Sequence, residues 1–408
     1  MPSRYDRLAR EQLAVLVPEL LLVGHLIDRA GMPFCLEAWG QDQMAEIAVE
    51  EWAGASPIYT KRMQRALKFE GDDVPTIFKG MQLDIGAPPQ FMDFRYSVTD
   101  ARHGAFHLDH CGALLDVEPM GPSMVKKMCH DIEDPTFDAT AVATNPRARM
   151  RPVHRPPRDP ADRTPHCAWT VEIDPDSPGV EPIPALAVNA RSRAATLVLD
   201  DVDPSDDGLA DYSGPLVDDL DFAAFSRSAL VRMADEVVLQ QHLLNLSFQL
   251  AVRKRAAGDD RLFERVARRQ LVGHAGVAAE RLHRALGLGD APQDAAEVVE
   301  LHPLMNPLPY VRLERDGDTI TVSRSPAHED GGWLPLCTPE APGALQAIVR
   351  AVNPFLDVEM SGTATDWTAR VVTTGTAAPE SGEVAVTKIS GGAGFRFEPR
   401  TSLPIFVK

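Results

Sequence analysis

The chain reads twice. "RMQRAL" begins at Arg62 and "RLHRAL" at Arg281, 219 positions later. The same offset pairs Pro88 with Pro307, Phe91 with Tyr310, Phe94 with Leu313, Pro135 with Pro354 and Asp138 with Asp357. "FMDFRY" and "YVRLER" then share an alternating strand pattern in register. A second offset, 198, pairs Trp169 with Trp367, Ala187-Val188 with Ala385-Val386, and Leu197 and Leu199 with Phe395 and Phe397. The two offsets differ by 21 residues, which predicts an insertion of that size in the first copy between Asp138 and Trp169. It falls in or near the Pro/Arg-rich stretch 145–165, expected to be a clamped loop and not a helix. A repeat of this length constrains the fold more than any local motif.

Each copy has one plan. An apolar helical region (7–70 and 220–288) precedes a strand near 91–98 or 310–314. A segment at 105–118 or 319–337 follows, then a helix, then closing strands that include "CAWTVEI" and "DWTARVV". This predicts a pseudo-duplicated α+β fold: two similar domains, 1–202 and 203–408, each a helical layer packed on a mostly antiparallel sheet. The acidic, turn-forming stretch 200–214 marks the boundary.

With a net charge of −18, the chain is poorly suited to neutralising nucleic-acid phosphates or docking on anionic membrane. The apolar run 13–27 is too short to span a bilayer and holds Pro18, Glu19 and His25. No signal-peptide pattern follows it, so the expected compartment is the cytoplasm. Assembly into a homo-oligomer is compatible with these features. The five cysteines are too few and too scattered for a disulfide scaffold.

Residues 103–167 carry six of the 12 histidines and three of the five cysteines. The second copy does not repeat the enrichment: at offset 219, Cys129 and His130 become Ile348 and Val349. Three dyads stand out, His110-Cys111, Cys129-His130 and His166-Cys167. Neighbours on a strand or helix point apart, so each dyad sends one residue to a shared site. Cys111, Cys129 and Cys167 would suit zinc with one open position, with His130 as a fourth ligand. Burial of these cysteines as small hydrophobes is the competing reading. His110, His130, Asp131 and His166 are the candidate acid–base residues. Arg155 and Arg158 in the Pro/Arg stretch are the candidate grip on an anionic small molecule, unless they pair with the chain's own acids. Iron bound through His107 and Asp109 with a distant histidine is a further alternative. Pro135 is expected to end the helix holding "MCHD", and the acids of "AEIAVEEWAG" (45–54) are expected on a solvated face. Nucleotide-loop, nucleophile-elbow and HExxH motifs are absent.

In order of elements, 105–175 resembles the L-2-amino-thiazoline-4-carboxylic acid hydrolase family and 4-vinyl reductase-type small-molecule-binding domains. Cys111 precedes a helix bearing Cys129 and Asp131, and Cys167 opens the aromatic strand "HCAWTV". The hydrolase resemblance implies an α+β fold, opening of a small C=N-containing ring acid, and Cys111, Cys129, Asp131 and Cys167 at the site. The other implies ligand binding with a cysteine-rich zinc site and no turnover. The histidines and the Pro/Arg stretch depart from both. The leading expectation is an enzyme acting hydrolytically on a small anionic molecule.

Overall fold

The computed structural model describes residues 3–407. The helix Arg10–Ala53 is largely apolar in its leading half: Leu13, Leu16, Val17, Leu20, Leu21 and Val23 are all fully buried. Such a helix has to lie inside the molecule. It bends at Gly40, whose φ of 80° puts it in the left-handed region where glycine has no Cβ penalty. The second copy breaks at the matching place. Ala257, with φ 50°, ends the helix Arg227–Ala256, and Asp259 caps the next helix, Asp260–Leu286, by accepting from the Leu262 N–H. The helix Arg10–Ala53 packs on both of these helices, and one apolar core runs through all three.

Each copy then adds a four-stranded antiparallel sheet. The first contains β1 (Met92–Val98), β2 (His103–Cys111), β3 (Ala148–His154) and β4 (Cys167–Ile173), in the order β1-β2-β4-β3. The second contains β5 (Arg312–Asp316), β6 (Thr319–Ser323), β7 (Leu356–Gly362) and β8 (Trp367–Thr373), in the order β5-β6-β8-β7. The identical order demonstrates the duplicated α+β architecture. The copies also clasp each other reciprocally. Arg10 donates to the Phe225 carbonyl at 2.7 Å, and Arg227, its counterpart 217 positions on, donates to the Leu8 carbonyl at 3.1 Å.

Hydrogen-bond register corrects the place of the insertion. Phe94 faces Leu108, and Leu313 faces Val322, so β2 and β6 are offset by 214 rather than 219. Leu108 faces Cys167, and Val322 faces Trp367, so the true partner of Trp367 is Cys167, not Trp169. The sequence match of the two tryptophans is a slip of one pleat, which preserves the buried face and so leaves the hydrophobic pattern unchanged. The extra residues are spread over the β1–β2 hairpin, the approach to β3, the β3–β4 connection and the turn after β4. Pro135 and Pro354 are likewise not equivalent. Pro135 lies inside a continuous helical run, just after the π-helix Lys127–Ile132 passes into the α-helix Glu133–Val142, and the helix continues past it.

Candidate functional site

A cavity of about 280 Å³ opens between the long N-terminal helix, the first sheet and the helices that follow β2. Seven of the chain's 13 methionines line it: Met32, Met44, Met81, Met92, Met120, Met124 and Met128. Trp52, Phe94 and Phe137 add aromatic wall. The second copy contributes Val386, Thr387, Ile389 and Ser390, so both copies build the cavity of the first.

Into this apolar space project His25, Asp28, Arg29, Asp84, Asp116 and Glu133. His25, Asp28 and Arg29 share one helix face by their i, i+3, i+4 spacing. The π-helix Lys127–Ile132, a wider turn than the α-helix, leads directly into Glu133 and faces Met128 and Ile132 toward the cavity. Neither His25 ring nitrogen has a well-formed hydrogen bond, and burial with Arg29 nearby lowers its pKa to about 3, so the ring is neutral. Asp28 is 3% exposed, and its Oδ1 has no partner. Burial raises its pKa against the pull of Arg29 and of the Trp52 indole N–H. Behind it Glu51, fully buried with both oxygens unpaired, is pushed well up by burial and by Asp28. Asp84 accepts from the Tyr59 hydroxyl at 2.8 Å and the Gly86 N–H at 2.7 Å, yet burial still raises it to about 6. Burial raises Glu133 to about 8 against the opposing charge of Arg155, so it is protonated at neutral pH. Arg29 is loosely held, 3.5 Å from Asp28 and 3.8 Å from Asp116, with its Nε unbonded.

The second copy shows what the same framework looks like without this chemistry. At offset 217, His25, Asp28 and Arg29 become His242, Asn245 and Leu246; at offset 219, Glu51 and Asp84 become Gln270 and Pro303. Asn245 donates to Gln270 at 2.9 Å, so where the first copy has two buried carboxyl groups with unsatisfied oxygens the second has a neutral, hydrogen-bonded pair. Beside His242, at a ring separation of 5.6 Å, lies the fully buried Trp333. His25 also has an indole nearby, Trp52 at 6.2 Å, but it borders open volume as well.

No family model, curated protein or solved structure matches this chain. The assignment of the site therefore rests on the contrast between its two halves.

The residues singled out from sequence lie mostly around the rim of this region. Cys111, Cys129 and Cys167 do converge on one apolar cluster, close enough for each thiolate to disfavour the others. All are buried, and burial pushes Cys111 up to about 12 and raises the other two as well. Cys111 caps the following turn by accepting from the Leu114 N–H. Among the described residues, no group of three or more His, Cys, Asp or Glu side chains is arranged to hold a metal ion. His166 accepts from the Cys111 N–H at 3.1 Å, and its ring lies 6.0 Å from that of His110. His130 contacts the Pro156 carbonyl at 2.7 Å, and Asp131 pairs outward with Lys127 at 2.8 Å. Arg158 forks onto Glu118 with two bonds of 2.8 Å, and Arg155 pairs with Asp134. These contacts clamp the Pro/Arg stretch and occupy both arginines with the chain's own acids. His107 and Asp109 meet at 3.3 Å on the open face of the first sheet.

Sequence reading missed His25, Asp28, Glu51, Asp84 and Glu133. Within 45–54, Glu46 and Glu50 do face outward toward Arg255, but Glu51 points into the core. A signal was available: "HLIDR" (25–29) against "HLLNL" (242–246) keeps the histidine and loses both charges.

Proposed function

We propose that the first copy binds a small, largely apolar molecule in the methionine-lined cavity and acts on it by general acid–base chemistry, with the second copy as scaffold. One observation carries this reading. His25 and Asp28 border an open apolar volume with both ring nitrogens and Asp28 Oδ1 unsatisfied, Glu51 lies unpaired behind them, and in the other copy Asn245 and Gln270 stand as a neutral, hydrogen-bonded pair in place of the two carboxyl groups. Unpaired polar groups of this kind each cost about 1–3 kcal/mol, a cost that a site for a ligand explains and a scaffold does not. Glu133, protonated near neutrality, is the proton donor, and neutral His25 or Asp84 is the acceptor. Delivery of a proton to a leaving group by Glu133 is compatible with the hydrolytic reaction expected from sequence.

The test is a thermal-shift screen of small amphipathic molecules on the wild type and on Met124→Trp, which places an indole in the cavity as Trp333 does beside His242. Stabilisation of the wild type alone supports the site; equal stabilisation of both proteins overturns it. Turnover of a hit, lost in Glu133→Gln, separates an enzyme from a binding module.

The convergence of three thiols favours one second reading, a zinc ion on Cys111, Cys129 and Cys167 reached after side-chain movement. Stoichiometric zinc in the purified protein, lost in Cys129→Ser, would support it. Metal-free preparations would leave the thiols as core.

A further inference from the structure

The cavity's charges do not balance. Asp28, Asp84 and Asp116 line it against the single guanidinium of Arg29, with the protonated Glu133 beside them and Glu51 behind Asp28. Asp28 and Asp84 are each 3% exposed, and each keeps one oxygen without a partner. Resting on the reading that this cavity is the binding site, we propose that its occupant is an organic cation: an amine or quaternary ammonium carried on a small apolar body.

Three features argue for this sign of charge. First, an anion seated on Arg29 would lie beside Asp28 and Asp116, which already flank the guanidinium at 3.5 and 3.8 Å. Like charges in a poorly solvated space repel strongly, while a cation between these carboxylates is attracted by all of them. The other arginines considered for an anion, Arg155 and Arg158, are engaged with Asp134 and Glu118. Second, the rest of the wall suits a cation. Trp52, Phe94 and Phe137 line it with aromatic rings, whose faces attract cations, and the methionines supply polarisable sulfur. Third, the second copy lacks the carboxyl group at three matched positions, with Asn245 for Asp28, Gln270 for Glu51 and Pro303 for Asp84. A site that held a cation would lose its carboxylates when the ligand is lost, because their desolvation is then uncompensated. A site that held an anion would have no reason to carry these carboxylates.

Isothermal titration of the full chain at neutral pH with phenethylamine, phenethyl alcohol and phenylacetate tests the proposal, since the three differ in charge and little in size. The amine is expected to bind at least about tenfold more tightly than the alcohol, with phenylacetate the weakest. In the double variant Asp28→Asn/Glu51→Gln, which copies the pair Asn245/Gln270, the amine should fall to the level of the alcohol while the alcohol is unchanged. Tightest binding by phenylacetate, or equal binding of amine and alcohol, would overturn the cationic ligand and leave the cavity as a binding site. Binding of none of the three, or amine binding that persists in Met124→Trp, would overturn both.

Discussion

Arg62 of the first copy grips Glu236 of the second through two hydrogen bonds of 2.8 and 3.0 Å, and donates to the Ala195 and Leu197 carbonyls. Its counterpart Arg281 reaches back to Glu19 at 2.7 Å and donates to the Ala393 and Phe395 carbonyls. The partners are matched as well: Glu19 and Glu236 lie 217 apart, and the carbonyl pairs 198 apart. Each copy thus ties down its own C-terminal tail while holding the other copy's long helix. Both arginines are buried, so removing either strands a charge and several carbonyls.

Arg281→Met should therefore cost about 3–5 kcal/mol, and Arg62→Met a similar amount, by the cost of breaking a buried pair from one side. Urea unfolding of the two variants checks this. A loss close to zero for either would show that the clasp contributes nothing.

Glu133 gives the protein a pH dependence with a defined sign. Its folded pKa, about 8, lies above the ordinary 4.5, because burial outweighs Arg155 and Arg29, with Asp134 adding to the rise. The native state therefore holds a proton that the unfolded state releases. That contribution to stability is complete below about pH 4.5 and is lost as pH rises toward about 8. Asp84 adds the same sign between its ordinary 3.8 and about 6. Chemical denaturation across pH should show stability falling up to about pH 8, with the upper part of the slope absent in Glu133→Gln.

The pair Asp28 and Glu51 should trade stability for binding. Asp28→Asn/Glu51→Gln reproduces a contact that the second copy already makes, Asn245 to Gln270 at 2.9 Å. A gain of about 1–3 kcal/mol is expected from satisfying buried groups. A raised melting temperature confirms it. A lowered one would show that the carboxyl pair is already well accommodated in the unliganded protein.

The thiols should be inert in the folded state. All five cysteines are buried, and burial raises each of them, to about 12 for Cys111 and Cys337. Iodoacetamide at mildly alkaline pH should modify none of them in the native protein and all five after denaturation, as read by intact mass. Rapid native labelling of Cys129 would instead indicate a reactive site.

Much of the architecture was legible because it is written in repeated local patterns. The offset between "RMQRAL" and "RLHRAL" holds because Arg62 and Arg281 perform the same task, and the alternation of β1 and β5 marks one buried face. The register of β4 against β8 was not legible. Slipping Trp169 onto Trp367 by one pleat keeps every inward residue inward, and only hydrogen-bond pairing distinguishes the two. The reach of the helix past Pro135 was hidden as well, since a proline that follows a π-helical turn and a proline at a helix end look alike in sequence.

The sequence by itself determined that two like units exist, that both are α+β, and that the second lacks the first's enrichment in histidine and cysteine. It drew attention to the histidines and cysteines, which are conspicuous as residue types. Only the tertiary structure decided that the unsatisfied groups are Asp28, Glu51 and His25, because a carboxylate in a helical sequence looks the same whether it faces water or a core. Glu50 and Glu51 are adjacent in the chain, yet one pairs with Lys254 and Arg255 near the surface and the other is sealed inside without a partner. The difference is the direction of a helix face against its neighbours, which the packing of three long helices fixes.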